Sequence, residues 1–368
     1  MIDDGLPLPE PFRALSGQAG SRRICLTGDV GGTKTILALF EIDGDNAECI
    51  KKEQFSSVQY QTFAALLAEF LNGANDTRIE AVCIGVAGVV DNGRCETTNL
   101  PWVLSSKEIG ERVNSQHVWL LNDLEATAWG LLGLPESNFV ELNADAQRPP
   151  GMVEVSQTVG NRCDRPLGNI AVLAAGTGLG EAIIAWDGAA YHVMATEGGH
   201  ADFSPTNQQE IALLSHLIGQ YPEHVSCERL ISGEGLVNIY QFLKHMNYAP
   251  ATSAIERQMA ERDPAAVIGE AGVAGSDALC VEALTLFCRL YGAESGNLAL
   301  KCLSYGGVYL AGGIAAKILP VLQQGEFMRG FTAKGRCRPV MQKISVKVCT
   351  NPEVALLGAL SYVKKRLS

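Results

Sequence analysis

The sequence predicts an α/β protein of two domains, and three observations carry that reading. Apolar, strand-like runs alternate with amphipathic helical stretches along most of the chain. At 368 residues and 47% hydrophobic content, it is long enough to bury two cores rather than one. Three glycine-rich turns interrupt apolar runs at widely separated positions, and chemistry is expected at them.

After an irregular arm over residues 1–20 comes Ile24-Cys25-Leu26-Thr27-Gly28-Asp29-Val30-Gly31-Gly32-Thr33-Lys34-Thr35, followed by the apolar run Ile36 to Phe40. Strands at about 24–28 and 35–42 joined by a tight turn account for this order, because glycine turns a chain sharply without a side-chain penalty. Such a turn leaves backbone N–H groups pointing outward, able to bind an anion such as phosphate. Asp29 beside a phosphate makes sense when Mg²⁺ lies between them. An ordinary hairpin fits these residues as well. A P-loop does not, because its pattern needs glycine where Thr33 stands and opens a helix rather than a strand.

An amphipathic helix over 62–71 and strands at 81–90 and 118–121 follow, the last running into Asn122-Asp123. Leu124, Ala126, Ala128, Leu131 and Leu132 then give one apolar helical face. Residues 145–168, with prolines, glycines and polar side chains, read as a surface excursion.

A second apolar run, Ile170 to Ala175, meets Gly176-Thr177-Gly178 and resumes after Glu181 at Ala182–Ala185. A Rossmann fingerprint would need glycine or alanine where Glu181 stands, and a helix where this chain reads as strand. Helices are expected at 209–217, 235–243, 255–262 and 277–303, the last long enough for Gly292 or Gly296 to bend or break it. The third turn, Gly307-Val308-Tyr309-Leu310-Ala311-Gly312-Gly313-Ile314-Ala315, runs from strand to helix and lets a flat ring approach the backbone. A strand at 344–349 and a helix over about 354–366 close the chain.

The order GDVGGTK, AAGTGLG, LAGGIA is similar to that of the sugar kinases of the actin-like ATPase superfamily. Within that group the chain resembles the bacterial-type glucokinases, through Thr98-Asn99-Leu100-Pro101-Trp102, Leu121-Asn122-Asp123-Leu124-Glu125-Ala126, Glu197-Gly198-Gly199-His200-Ala201-Asp202-Phe203 and Val225-Ser226-Cys227-Glu228-Arg229-Leu230-Ile231-Ser232-Gly233. The resemblance runs from about residue 24 to the end of the chain. It implies a two-domain actin-like ATPase (ribonuclease H-like) fold with an interdomain cleft. A small α/β domain would span 21–121, completed by about 350–368, with a large α/β domain over 122–349. It further implies phosphorylation of D-glucose to glucose 6-phosphate, ATP and Mg²⁺ as cofactors, and a homodimer.

A kinase acting on an alcohol must take a proton from the attacking hydroxyl, and a carboxylate with a pKa near ~3.9 is ionised for that task. Asp123, at a strand end, is the candidate base. Taken alone it also reads as a helix N-cap. By the resemblance Asn122 contacts the sugar, as do Glu197, His200 and Glu228, while Asn99 reaches it from the small domain. On their own chemistry, His200 reads as a hydrogen-bonded structural histidine, Glu228 as a surface partner of Arg229, and Asn99 as a turn residue before Pro101. Gly28, Asp29, Val30, Gly31, Gly32, Thr33 and Lys34, with Gly176, Thr177 and Gly178, would hold phosphates. Gly312 and Gly313 would line the adenosine pocket, and Asp29 would reach the metal through water. Structural zinc is not expected, because Ala201-Asp202-Phe203-Ser204-Pro205 replaces the cysteine-rich loop of the sister repressor–kinase family.

A net charge of −11 disfavours nucleic acid and anionic membranes as partners. It also repels ATP at long range, so nucleotide binding must rest on local groups. The eleven cysteines are scattered, odd in number and without a C-x-x-C pair, which reads as reduced thiols in a cytoplasmic protein. The first residues lack the apolar core of a secretory signal. Two alternatives are another hexose or amino sugar as substrate, and a non-catalytic sugar sensor. A DNA-binding sensor would need a basic helix-turn-helix, which the first twenty residues do not offer.

Overall fold

The computed structural model describes residues 22–44, 46–72, 78–97, 100–143 and 167–367. The expected N-terminal arm, Asn99 and nearly all of the 145–168 excursion lie outside those residues. The chain divides into two compact units, one running to Gly133 and resuming at Glu353, the other spanning Leu134–Pro352. The helix that begins at Asp123 belongs to the first unit, so the break falls after Gly133 rather than after Leu121.

The first unit opens with an antiparallel meander, β1 (Arg23–Val30), β2 (Lys34–Asp43) and β3 (Asn46–Ser56). Helix α1 (Phe63–Phe70) is capped by the Thr62 side chain, which accepts from Ala65 N. Strand β4 (Ile79–Val86) then pairs parallel with β1. The expected strand over 81–90 stops at Val86, because the chain turns at Gly88, whose φ of +154° suits glycine. Short strands β5 (Val90–Asp91), β6 (Arg94–Glu96) and β7 (Val103–Ser105) form a separate antiparallel sheet. After α2 (Ser106–Val113), β8 (His117–Asn122) pairs parallel with β4 and feeds α3 (Asp123–Gly133).

The five-stranded order is β3-β2-β1-β4-β8. Alternation along each strand buries both faces. Leu26, Leu37 and Leu39 pack with Phe63, Leu66, Phe70 and Trp102, whereas Cys25, Ile36, Ala38 and Phe40 pack with Ala126, Leu356, Ala359 and Val363. The last of these come from the C-terminal helix Val354–Leu367, which lies against α3 so closely that glycine is required at the crossing. A Cβ on Gly358 would overlap the carbonyl oxygen of Ala126, and one on Gly130 that of Val354.

The second unit repeats this plan. Strand β9 (Phe139–Glu141) precedes the antiparallel run β10 (Ile170–Ala175), β11 (Leu179–Trp186) and β12 (Tyr191–Ala195). A helical stretch follows: α4 (Gln208–Ile218), α5 (Gly233–His245), α6 (Ser253–Glu261), α7 (Pro264–Ala274) and α8 (Ala278–Cys302). Strand β13 (Gly307–Ala311) leads into α9 (Gly312–Lys317), α10 (Leu319–Leu322), α11 (Glu326–Thr332) and α12 (Arg338–Met341), and β14 (Val346–Cys349) precedes the C-terminal helix, α13. The sheet order is β12-β11-β10-β13-β14-β9, with β13 and β14 parallel to β10 and β9 antiparallel at the edge.

Helix α8 runs unbroken for 25 residues through Gly292 and Gly296. Those glycines admit α11 instead of ending the helix: a Cβ on Gly292 would overlap the Phe327 carbonyl, and one on Gly296 would meet that of Phe331. Phe287, Tyr291, Phe327 and Phe331 are fully buried around this contact. Among the described residues no single helix is long and apolar enough to cross a membrane.

The same criterion predicts opposite outcomes for two glycines. Gly358→Ala should destabilise by about 2 kcal/mol or more, because the α3–α13 backbones must separate. Gly269→Ala, inside α7 with only Leu236 Cδ2 at 4.0 Å, should stabilise, by about 0.5–1 kcal/mol. Thermal and denaturant melts of both variants test the pair.

Candidate active site

The parallel register brings the first group of site residues to one sheet edge. Val30 of β1 pairs with Val86 of β4, and Val86 with Asn122 of β8, so the three strands end level. The Gly31–Lys34 turn and Asn122-Asp123 therefore leave the sheet at the same edge. The turn is closed by Gly31 N donating to Lys34 O at 3.0 Å. Ser57 braces it from behind: its hydroxyl donates to Gly31 O at 2.8 Å, its N–H to Thr33 O at 2.9 Å, and Thr35 Oγ1 lies 2.9 Å from its Oγ. Nothing in the local sequence singles out Ser57, because it reaches the turn only through the β2–β3 pairing.

Gly28 and Val30 are buried in β1, where a Cβ on Gly28 would stand 2.8 Å from Leu37 Cδ2, so this glycine serves packing rather than the turn. Gly31 and Gly32 are half-buried, while Thr33 and Lys34 are exposed. Asp29 is half-buried; burial pushes its carboxyl above the usual range and the Lys34 charge opposes that. A carboxylate in this condition gains from a nearby cation.

Asn122 and Asp123 are half-buried at the start of α3. The Asn122 side chain donates to Gly88 O at 3.1 Å and accepts from Leu124 N at 2.9 Å and Glu125 N at 3.4 Å. Asn122 thus performs the capping that Asp123's position suggested, although Asp123 Oδ1 also lies 2.9 Å from Leu124 N.

The second unit gathers the other group. In the β10–β11 hairpin, Gly176 N donates to Gly178 O at 2.8 Å, with Thr177 exposed at the tip. Gly312 starts α9 beside this hairpin, with φ of +82° and no room for a Cβ against Ala175. Gly313 is exposed, and a Cβ there would meet nothing within 4 Å. Glu197 precedes and His200 ends a 3₁₀ turn over Gly198–His200, their side chains exposed and His200 Nε2 4.0 Å from Glu197 Oε2. The turn rests on β11, since a Cβ on Gly199 would overlap the Leu179 carbonyl.

Glu228 does not pair with Arg229. Its Oε2 accepts from Leu179 N at 2.9 Å, while Arg229 bonds Glu234 at 2.7 Å and lies over the Tyr221 ring at 4.4 Å. The chain direction in the turn Cys227–Arg229 sends neighbouring side chains to different partners.

Glu181 of β11 is the residue that sequence reasoning passed over. It is 1% exposed, its carboxylate sits directly beneath Gly198, and Oε1 has no hydrogen-bond partner among the described residues. Burial pushes its pKa from 4.5 up to about 8, with the Glu294 charge adding and Lys301 opposing. Glu294 of α8 accepts on Oε2 from Cys227 Sγ at 3.4 Å and Asn297 Nδ2 at 2.9 Å, and its Oε1 is likewise unpartnered among the described residues. The backbone of Glu181 also anchors the turn: Thr196 Oγ1 donates to Glu181 O at 2.8 Å and accepts from Gly198 N at 3.1 Å. The sequence signal was an acid inside an apolar strand run.

Because the folded state holds this proton more tightly than the unfolded chain, its contribution to stability falls as pH rises from about 4.5 to about 8. Glu181→Gln should remove that slope. Its melting temperature should exceed the parent's at pH 8 and approach it at pH 4.5, as read by melts across the range.

A family model described as glucokinase matches residues 26–366. The glucokinase of Nostoc sp. is 39% identical over 350 residues, covering 91% of this chain and 97% of that protein. A crystal structure of a glucokinase from an Antarctic psychrotroph matches with a TM-score of 0.74 at 25% identity, covering 93% of this chain and 99% of that one. A ROK family glucokinase from Streptomyces griseus, solved in complex with glucose and AMPPNP, shares the fold with a TM-score of 0.57 at 21% identity, over 91% of this chain and 97% of its own. The structural neighbours place the mixed α/β sheets among the sugar kinases. A match at this identity that runs through both units leads to one conclusion: the chain belongs to the glucokinase family.

Proposed function

We propose that this glucokinase-family enzyme transfers the γ-phosphoryl group of ATP to the 6-hydroxyl of D-glucose, with Asp123 as general base. The observation that carries the reading is the shared sheet edge of the first unit, where Asn122-Asp123 and the Asp29–Lys34 turn emerge level. A base and a phosphate-binding turn on one edge suit in-line transfer between two bound substrates.

On this reading the N–H groups of Gly31–Lys34 and Gly176–Gly178 receive the phosphates, and Gly312 and Gly313 leave room for the adenosine. Glu197, His200, Glu228 and Asn122 meet the sugar hydroxyls, together with Asn99. Phosphoryl transfer is loose, so the proton leaves late and Asp123 mainly orients the hydroxyl before accepting it. Asp29 suits Mg²⁺ held through water: its burial-raised carboxyl beside a turn open to phosphate is a donor that a cation stabilises. The ion would supply charge neutralisation on the phosphates.

All ten described cysteines are free thiols, which supports the cytoplasmic setting proposed here. The homodimer expected of the family is open to light scattering.

Asp123→Ala should lower kcat by about 10²–10⁴-fold with a much smaller change in glucose affinity. A near-normal kcat in a coupled assay would remove Asp123 as the base. Asp29→Asn should raise the Mg²⁺ concentration needed for half-maximal rate, measured by titration at fixed ATP. Turnover on glucose, fructose, mannose and glucosamine at matched concentrations decides the substrate.

A further inference from the structure

The phosphate turn of the second unit is gripped on both sides by one short segment. Gly176, where the turn begins, accepts at its carbonyl from Gly233 N at 2.9 Å. Leu179, where β11 resumes, donates its N–H to Glu228 Oε2 at 2.9 Å. Glu228 and Gly233 lie five positions apart, joined through Ser232, whose hydroxyl donates to Glu228 O at 2.8 Å and accepts from Gly235 N at 3.0 Å as the α5 cap. The fit is close, since a Cβ on Gly178 would overlap the Glu228 carboxylate.

This arrangement has a mechanical consequence. The N–H groups of a glycine turn bind phosphate well only if the turn is held in one conformation beforehand, and glycines alone do not hold it. Leu179 pairs with Ala175 across the hairpin, so fixing its N–H fixes the chain as it leaves the turn. A charged acceptor makes a stronger bond to a backbone N–H than a neutral one.

We infer that Glu228 is a positioning residue for the Gly176–Gly178 turn, so that one side chain ties nucleotide binding to the sugar site. Oε2 is engaged with the turn, so on the proposed reading of the sugar site Oε1 is the oxygen that would accept a sugar hydroxyl. This rests on the reading of Gly176–Gly178 as a phosphate turn. Occupation of either site then stabilises the Glu228 conformation that the other uses, and the coupling is reciprocal.

The test is MgADP binding to the full chain by calorimetry, without sugar, for the parent, Glu228→Ala, Glu228→Asp and Glu228→Gln. Alanine removes the acceptor and aspartate withdraws it by one methylene, so both should weaken MgADP by about tenfold or more. Glutamine keeps an acceptor oxygen at the same reach and should stay within about threefold of the parent. Glucose KM should rise in all three, because each alters the carboxylate offered to the sugar. Parent-like MgADP binding by the alanine and aspartate variants would overturn the inference, as would equal weakening in all three. An unfolded alanine variant, seen by circular dichroism, leaves the aspartate and glutamine pair to decide. Failure of the parent to bind MgADP would instead remove the phosphate-turn reading, and this inference with it.

Discussion

Parallel register is the constraint on which the rest depends. In each unit an antiparallel hairpin supplies the first strand, and two further strands join it in parallel. The hairpin turn and the ends of the parallel strands must then share an edge. Backbone groups there have left the ladder, so they are the ones available to a ligand. In the first unit that edge collects Gly31–Lys34 and Asn122-Asp123; in the second it collects Gly176–Gly178 and Gly312-Gly313.

Few of these residues do one thing. Asn122 caps α3 and ties it to Gly88, so the proposed sugar contact uses a side chain the fold already holds in place. Glu228 secures Leu179 N in the same way. Some glycines in the same motifs serve packing: Gly28 avoids Leu37, and Gly312 avoids Ala175. At Gly176 and Gly313 a Cβ would meet nothing within 4 Å, so packing does not account for those two glycines. A motif of glycines is therefore a mixture of mechanical and chemical positions.

Much of this was legible in the sequence. Both hairpins follow from apolar runs broken by glycine, and the strands Arg23–Val30, Lys34–Asp43 and Ile170–Ala175 lie where period and turn chemistry put them. The strand ending in Asn122-Asp123 was equally plain. Helix α8 was harder, because the partner that makes Gly292 tolerable, Phe327, lies far along the chain. The Glu228–Arg229 pairing failed for a related reason: adjacency in sequence says nothing of which way two side chains leave a tight turn. Glu181 stood in the sequence as an acid inside an apolar run, but that it is fully covered is visible only in the fold.

The order of strands and helices, the two glycine hairpin turns and the acid at the end of β8 were thus determined by the sequence alone. Each depends on local periodicity, or on backbone angles that glycine permits. Tertiary structure alone decided that Ser57 braces one turn, that Glu228 braces the other, and that Glu181 is buried beneath Gly198. Those contacts join residues well separated along the chain, as with Ser57 to Gly31 at a separation of 26 and Leu179 to Glu228 at 49. Their energies depend on burial, which no stretch of sequence specifies until the layers close over it.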